Sequence, residues 1–218
     1  MSTIELGLDT FGDVTVDAEG RLLSQARVLR DVVAEAELAD RVGVDFFGVG
    51  EHHRPDFAIS APEVVLAAIA GRTKRLGLGT AVTVLSSDDP IRVYQRFSTL
   101  DAVSGGRAEV ILGRGSFTES FPLFGYSLDD YDRLFEEKLA IFAALRDADR
   151  TGDPVRWKGT VRPPLDGVTH DSPAWLDDAT AVPFCNTRDG PRHRTRSSTS
   201  REVVPPFARV VRASIRNT

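Results

Sequence analysis

The segment Phe46-Phe47-Gly48-Val49-Gly50-Glu51-His52-His53 is a short apolar run that stops on one carboxylate and two imidazoles. A continuous apolar run of this length suits a strand buried on both faces, as in a parallel sheet. In α/β folds the chemistry gathers at the C-terminal ends of such strands, where three titratable groups stand here. The same octapeptide would serve as a polar loop with an imidazole capping a helix, so its meaning depends on the pattern around it.

That pattern is regular. Upstream, residues 4–9 alternate as a strand, and Ser24 caps a helix whose Leu29, Val32, Val33, Ala36, Ala39 and Val42 recur at helical spacing before Gly43. Downstream, Pro62 opens a helix to residue 72, residues 76–85 read as a strand, and Pro90 starts a helix that Gly105-Gly106 stops. Residues 108–113 form a fourth strand and residues 128–145 a long helix. Strict alternation predicts a parallel sheet with right-handed crossovers. No Gly-x-Gly-x-x-Gly turn follows the first strand, which argues against a dinucleotide-binding open sheet. Polar residues at successive strand ends (Asp9, Glu51, Thr83 and Arg114) suit a (β/α)8 TIM-type barrel, where one face collects them. A complete barrel takes ~250 residues, so residues 1–167 are expected to be the N-terminal part of one, truncated to its first half, with residues 168–218 outside it.

Composition agrees up to a point. No apolar run approaches the ~20 residues of a membrane span and no signal segment opens the chain. Cys185 is the only cysteine, which fits a reducing cytoplasm. The net charge of −5 argues against nucleic acid as a partner. That average hides a break: residues 1–185 carry 19 Lys and Arg against 30 Asp and Glu, whereas residues 186–218 carry 8 Arg against two acids. No leucine follows Leu176. An arginine-rich stretch without apolar period buries too little to offset its ordering entropy, so residues 186–218 are expected to be disordered.

Four further stretches occur in register with Gly50-Glu51-His52-His53. They are Leu78-Gly79-Thr80-Ala81-Val82-Thr83-Val84-Leu85 with Asp89-Pro90, Leu100-Asp101-Ala102-Val103-Ser104-Gly105-Gly106-Arg107, Gly113-Arg114-Gly115, and Phe124-Gly125. In these the chain resembles the bacterial luciferase-like flavin-dependent monooxygenases over about residues 3–165. The resemblance implies a (β/α)8 barrel and an oxidoreductase that reacts reduced FMN with O2 to oxygenate a small organic substrate. It also implies an NAD(P)H-dependent flavin reductase that supplies the flavin, and a possible homodimer. One branch uses the deazaflavin F420 instead.

By the same resemblance His52 matches the catalytic histidine near the reactive edge of the flavin, a task suited to a group titrating near neutrality. Glu51 and His53 would orient it. Ala81-Val82 matches a non-proline cis peptide under the ring, and Arg114, flanked by glycines, would approach the flavin phosphate. No metal site is implied. After Pro163-Pro164-Leu165 the expected second phosphate loop is missing; Val168-Thr169-His170-Asp171-Ser172-Pro173 stands there, a departure that a frameshift in a GC-rich gene would cause. Alternatives are a non-catalytic flavin-binding relative, a non-functional fragment, and an F420-dependent oxidoreductase.

Overall fold

The computed structural model describes residues 3–170 and 212–216. Its first strand is β1 (Thr3–Thr10), followed by helix α1 (Gln25–Val42) and the central strand β2 (Phe46–Val49), all four of whose residues are buried. Helix α2 (Pro62–Ala70) leads to β3 (Gly77–Thr80) and the short β4 (Thr83–Val84), and α3 (Pro90–Ser104) to β5 (Ala108–Glu109) and β6 (Leu112–Gly113). The third and fourth strands of the sequence reading are therefore each split in two.

β1, β2, β3 and β5 pair in parallel, in chain order and with no reversal, and β4 pairs in parallel with β6 beyond them. A doubly wound sheet reverses its order at a switch point; this one keeps winding one way, as a barrel does. The helix boundaries follow from local chemistry. Ser24 Oγ accepts the Arg27 N–H (3.3 Å) at the start of α1, and Gly43 closes it at φ 88. Asp89 Oδ1 accepts the Ile91 and Arg92 N–H groups at the start of α3.

The two faces of the sheet are built differently. Phe47, Val49, Leu78 and Ala108 pack under the apolar faces of the helices, against Val32, Leu66, Phe97 and their neighbours. Burial of each large side chain there contributes roughly 1.5–3 kcal/mol. On the other face the Phe46 ring crosses the neighbouring strand, and a Cβ on Gly79 would stand 2.7 Å from its ring atoms. Only glycine leaves that ring its place.

Below the strands, the segment around Arg107 is a structural lock. Its guanidinium donates to the carbonyls of Ala70, Thr73, Leu76 and Ser104 and to Thr73 Oγ1, at 2.8–3.2 Å. Asp101, fully buried, accepts the Ala108 N–H at 3.2 Å. Together they tie the ends of α2 and α3 to the starts of β3 and β5.

The chain then departs from strict alternation. A short helix α4 (Ser120–Phe124), not anticipated, precedes the 3-10 turn Leu128–Asp130 and helix α5 (Tyr131–Thr151). β7 (Val155–Trp157) and β8 (Leu165–Val168) then form an antiparallel hairpin, so the expected parallel rule stops at α5. The expectation of disorder for residues 186–218 mostly lies outside the described residues. Where it is described the result differs: β9 (Arg212–Arg216) pairs antiparallel with β1. An open strand edge offers backbone hydrogen bonds to any extended segment, leucine or not.

Arg107→Ala is expected to destabilise the protein by about 2–4 kcal/mol, because five acceptors lose a charged donor at once. Arg107→Lys should recover less than half, since an ammonium cannot reproduce the fork. Urea unfolding followed by circular dichroism measures both; a loss below about 0.5 kcal/mol, the scatter of a neutral surface change, would show that water replaces the lock.

Candidate functional site

The C-terminal ends of β2, β4 and β6 meet on one rim. Glu51, which follows Gly50 just past the end of β2, is buried. Its Oε2 accepts the Val84 N–H (2.9 Å) and its Oε1 accepts from His53 Nε2 (2.9 Å). One carboxylate thus fixes both β4 and an imidazole. The His53 ring also lies edge-on to Phe124, at 5.0 Å.

His52 points into different surroundings. Its ring stacks on Phe57 (4.3 Å, 26°) and meets Phe11 and Phe117 edge-on, each at 5.0 Å. Its Nδ1 lies 3.7 Å from Glu119 Oε1. Burial among these rings lowers the His52 pKa below its usual 6.5, against the opposing pull of Glu119. For His53 the hydrogen bond to Glu51 dominates burial and raises the pKa. Two adjacent imidazoles are therefore driven apart, His52 toward its uncharged form and His53 toward its charged form.

The peptide Ala81-Val82, between β3 and β4, is cis. The Val82 side chain packs on β6, where a Cβ on Gly113 would come within 2.4 Å of it. The next residue, Arg114, lies over the Phe135 ring (5.2 Å) with Nη1 3.3 Å from Asp132 Oδ1. Its Nε is buried and lacks a hydrogen-bond partner among the described residues. Tyr131 donates to the Gly115 carbonyl (2.6 Å) and pins the loop behind it. A guanidinium with a buried, unpaired N–H between two glycines suits an oxyanion, so this end of the rim fits a flavin phosphate.

All the residues singled out from sequence, Glu51, His52, His53, Ala81, Val82 and Arg114, thus fall on one rim. The sequence reading missed Glu119, the aromatic ring set and Lys138. Lys138 lies in the apolar stripe of α5 with Leu134, Phe135, Ile141 and Phe142, and that misplacement was its signal. It is buried, donates to the Ser86 carbonyl (2.7 Å) and lies 3.9 Å from the centre of the Tyr126 ring. It thereby ties α5 to the loop after β4 and to the segment after α4. Burial lowers its pKa to about 8, with Asp88 and Asp89 opposing.

Residues 10–179 match the luciferase-like monooxygenase family. The chain is 36% identical over 115 residues to the 4-hydroxyprotoasukamycin monooxygenase of Streptomyces nodosus subsp. asukaensis, covering 52% of this chain and 31% of that protein. It is 30% identical over 127 residues to the alkanal monooxygenase alpha chain of Photorhabdus luminescens, covering 58% and 35%. Among solved structures, the monooxygenase RslO1 from Streptomyces bottropensis superposes with a TM-score of 0.68 at 26% identity, over 78% of this chain and 50% of that one. The FMN complex of the oxygenating constituent of 3,6-diketocamphane monooxygenase from Pseudomonas putida gives 0.67 at 20%, over 84% and 51%. An F420-dependent secondary alcohol dehydrogenase gives 0.61 at 22%, over 84% and 51%. The last two likenesses are of fold alone. The chain spans about a third of the length of those two sequence relatives and half that of the solved structures. No helix among the described residues is long and apolar enough to cross a membrane.

Two pH effects follow. His53 binds its proton more tightly folded than unfolded, so its contribution is complete below pH 6.5 and is lost as pH rises through the higher folded value. Glu51→Gln should remove that slope in urea midpoints measured from pH 5.5 upward; an unchanged slope would reject the pair as its source. Lys138 has the opposite linkage. Between about 8 and its usual 10.5 the unfolded chain binds more protons, so stability should rise with pH there. In Lys138→Met that rise should be absent, and its persistence would assign it to another group.

Proposed function

Because this chain belongs to the luciferase-like monooxygenase family, we propose that its strand ends form the flavin- and oxygen-facing rim of an FMN-dependent monooxygenase acting on a small organic substrate. The observation that carries this reading is the joint placement of a His52 packed among phenyl rings and an Arg114 with an unpaired buried N–H on one rim. Reduced flavin, when bound, would supply the electrons for O2 activation. Arg114 would hold its phosphate, and Ala81 and Val82 would underlie its ring. His52 would hold or release a proton at the reacting edge, in a setting where Phe11, Phe57 and Phe117 exclude water from the imidazole. His53 and Glu51 would keep the rim in shape.

The reading extends to an NAD(P)H-dependent flavin reductase as electron source, to cytoplasmic location and to a homodimer. The fold likeness to an F420 enzyme supports F420 as a second cofactor reading. Residues 1–167 would carry the chemistry, and residues 168–218 would leave the second phosphate contact of relatives unsupplied, so flavin binding should be weak. FMN and F420 titrations followed by visible absorbance test this. Arg114→Ala should weaken flavin binding by roughly 10–150-fold, the equivalent of about 1.5–3 kcal/mol for a lost charge-assisted contact. His52→Ala should leave binding near wild type and lower oxygenation, measured with a flavin reductase, by about 10²–10⁴-fold. A chain that binds neither cofactor would overturn the proposal, and full turnover in His52→Ala would remove His52 from the mechanism.

A further inference from the structure

His52 has a partner that the functional reading leaves without a role. Glu119 stands in the segment between β6 and α4, with Oε1 3.7 Å from His52 Nδ1. That distance is long for a hydrogen bond, as catalytic contacts are before a ligand is bound. Phe57 covers one face of the ring, and Phe11 and Phe117 close on it edgewise. Among the described residues the imidazole's other nitrogen, Nε2, has no hydrogen-bond partner. The charged groups facing the ring are Arg54 and Asp56 from the loop after β2, and Glu119 from the segment after β6; Phe11, after β1, brings no charge. Arg54 and Asp56 form a mutual pair through two hydrogen bonds of 2.9 Å, so their fields at the ring largely cancel. Glu119 makes no other ion pair among the described residues. It is the charge that the imidazole feels most.

We propose that Glu119 is a positioning residue that holds the His52 proton on Nδ1 and leaves the Nε2 lone pair to take a proton from a molecule bound at the rim. The inference rests on reading His52 as the acid–base group. The proton moves from an O–H or N–H of the bound molecule to Nε2, and the electron pair of that bond stays on the donor atom. The Glu119 carboxylate offsets the charge of the resulting imidazolium, and nothing is oxidised or reduced. A carboxylate behind one nitrogen selects the tautomer that presents the other.

Imidazole ¹⁵N shifts across a pH titration of the full chain without flavin read the tautomer and the pKa directly. With four histidines in the chain, His52→Gln assigns the signal. In the wild type the neutral ring should carry its proton on Nδ1. Glu119→Gln should lower the His52 pKa by about one unit, through loss of a nearby opposite charge, and Glu119→Ala should let the Nε2–H tautomer grow. A wild-type ring protonated chiefly on Nε2, or a pKa unmoved in both variants, would overturn the proposal. If either variant fails to fold, the wild-type tautomer alone decides it. The result is independent of flavin: a chain that binds none but shows the Nδ1–H form loses the functional reading and keeps the dyad, and the converse keeps the reading without Glu119.

Discussion

Parallel strands cannot turn directly back on themselves, and each crossover must cover the sheet before the next strand can pair. In this chain the pairing of β1, β2, β3 and β5, in chain order, sets everything else. It puts the C-terminal ends of these parallel strands on one rim, and it buries both faces of β2, so the chain spells that strand without a polar residue until it emerges at Glu51. The rim then inherits its contents from what each strand end happens to be: a carboxylate and two imidazoles after β2, a cis peptide before β4, an arginine after β6. Glu51 shows how tightly fold and site are joined. The carboxylate that orients His53 is also the acceptor for the β4 backbone, so neither could shift without the other.

Much of this was legible because local signals and the global fold agree. Ser24, Gly43, Pro62, Pro90 and Gly105 end or begin helices where their conformational preferences require, and the structure sets the boundaries within a residue or two of them. The apolar run at Phe46 was unambiguous because a strand with no polar alternation has only one kind of home. The rim residues were legible by resemblance, and nothing in the local composition of Ala81-Val82 distinguishes it from ordinary strand.

What was not legible depends on contacts distant in sequence. Lys138 meets the Ser86 carbonyl and the Tyr126 ring only after α5 docks, and a lysine in an apolar stripe carries no label naming its partners. Likewise Leu100–Arg107 was read as a family motif with no role of its own. The structure gives it one at the opposite end from the chemistry, where Arg107 gathers carbonyls from α2, α3 and the approach to β3. The hairpin of β7 and β8 escaped because three- and four-residue strands give too short a pattern for a period to register.

The opposite drift of two neighbouring imidazoles ties these threads together. His52 and His53 share a backbone, a strand end and comparable exposure, yet one sits among phenyl rings and the other against a carboxylate. Past the end of β2 the two side chains part: one lies against Phe57, the other turns back toward Glu51 and β4. A shift of one residue would exchange their environments and with them the directions in which their pKa values move. The register that the buried Phe46–Val49 run enforces therefore fixes which histidine is pushed toward its uncharged form. The hydrophobic pairing of the strand is in this sense part of the acid–base chemistry at its end.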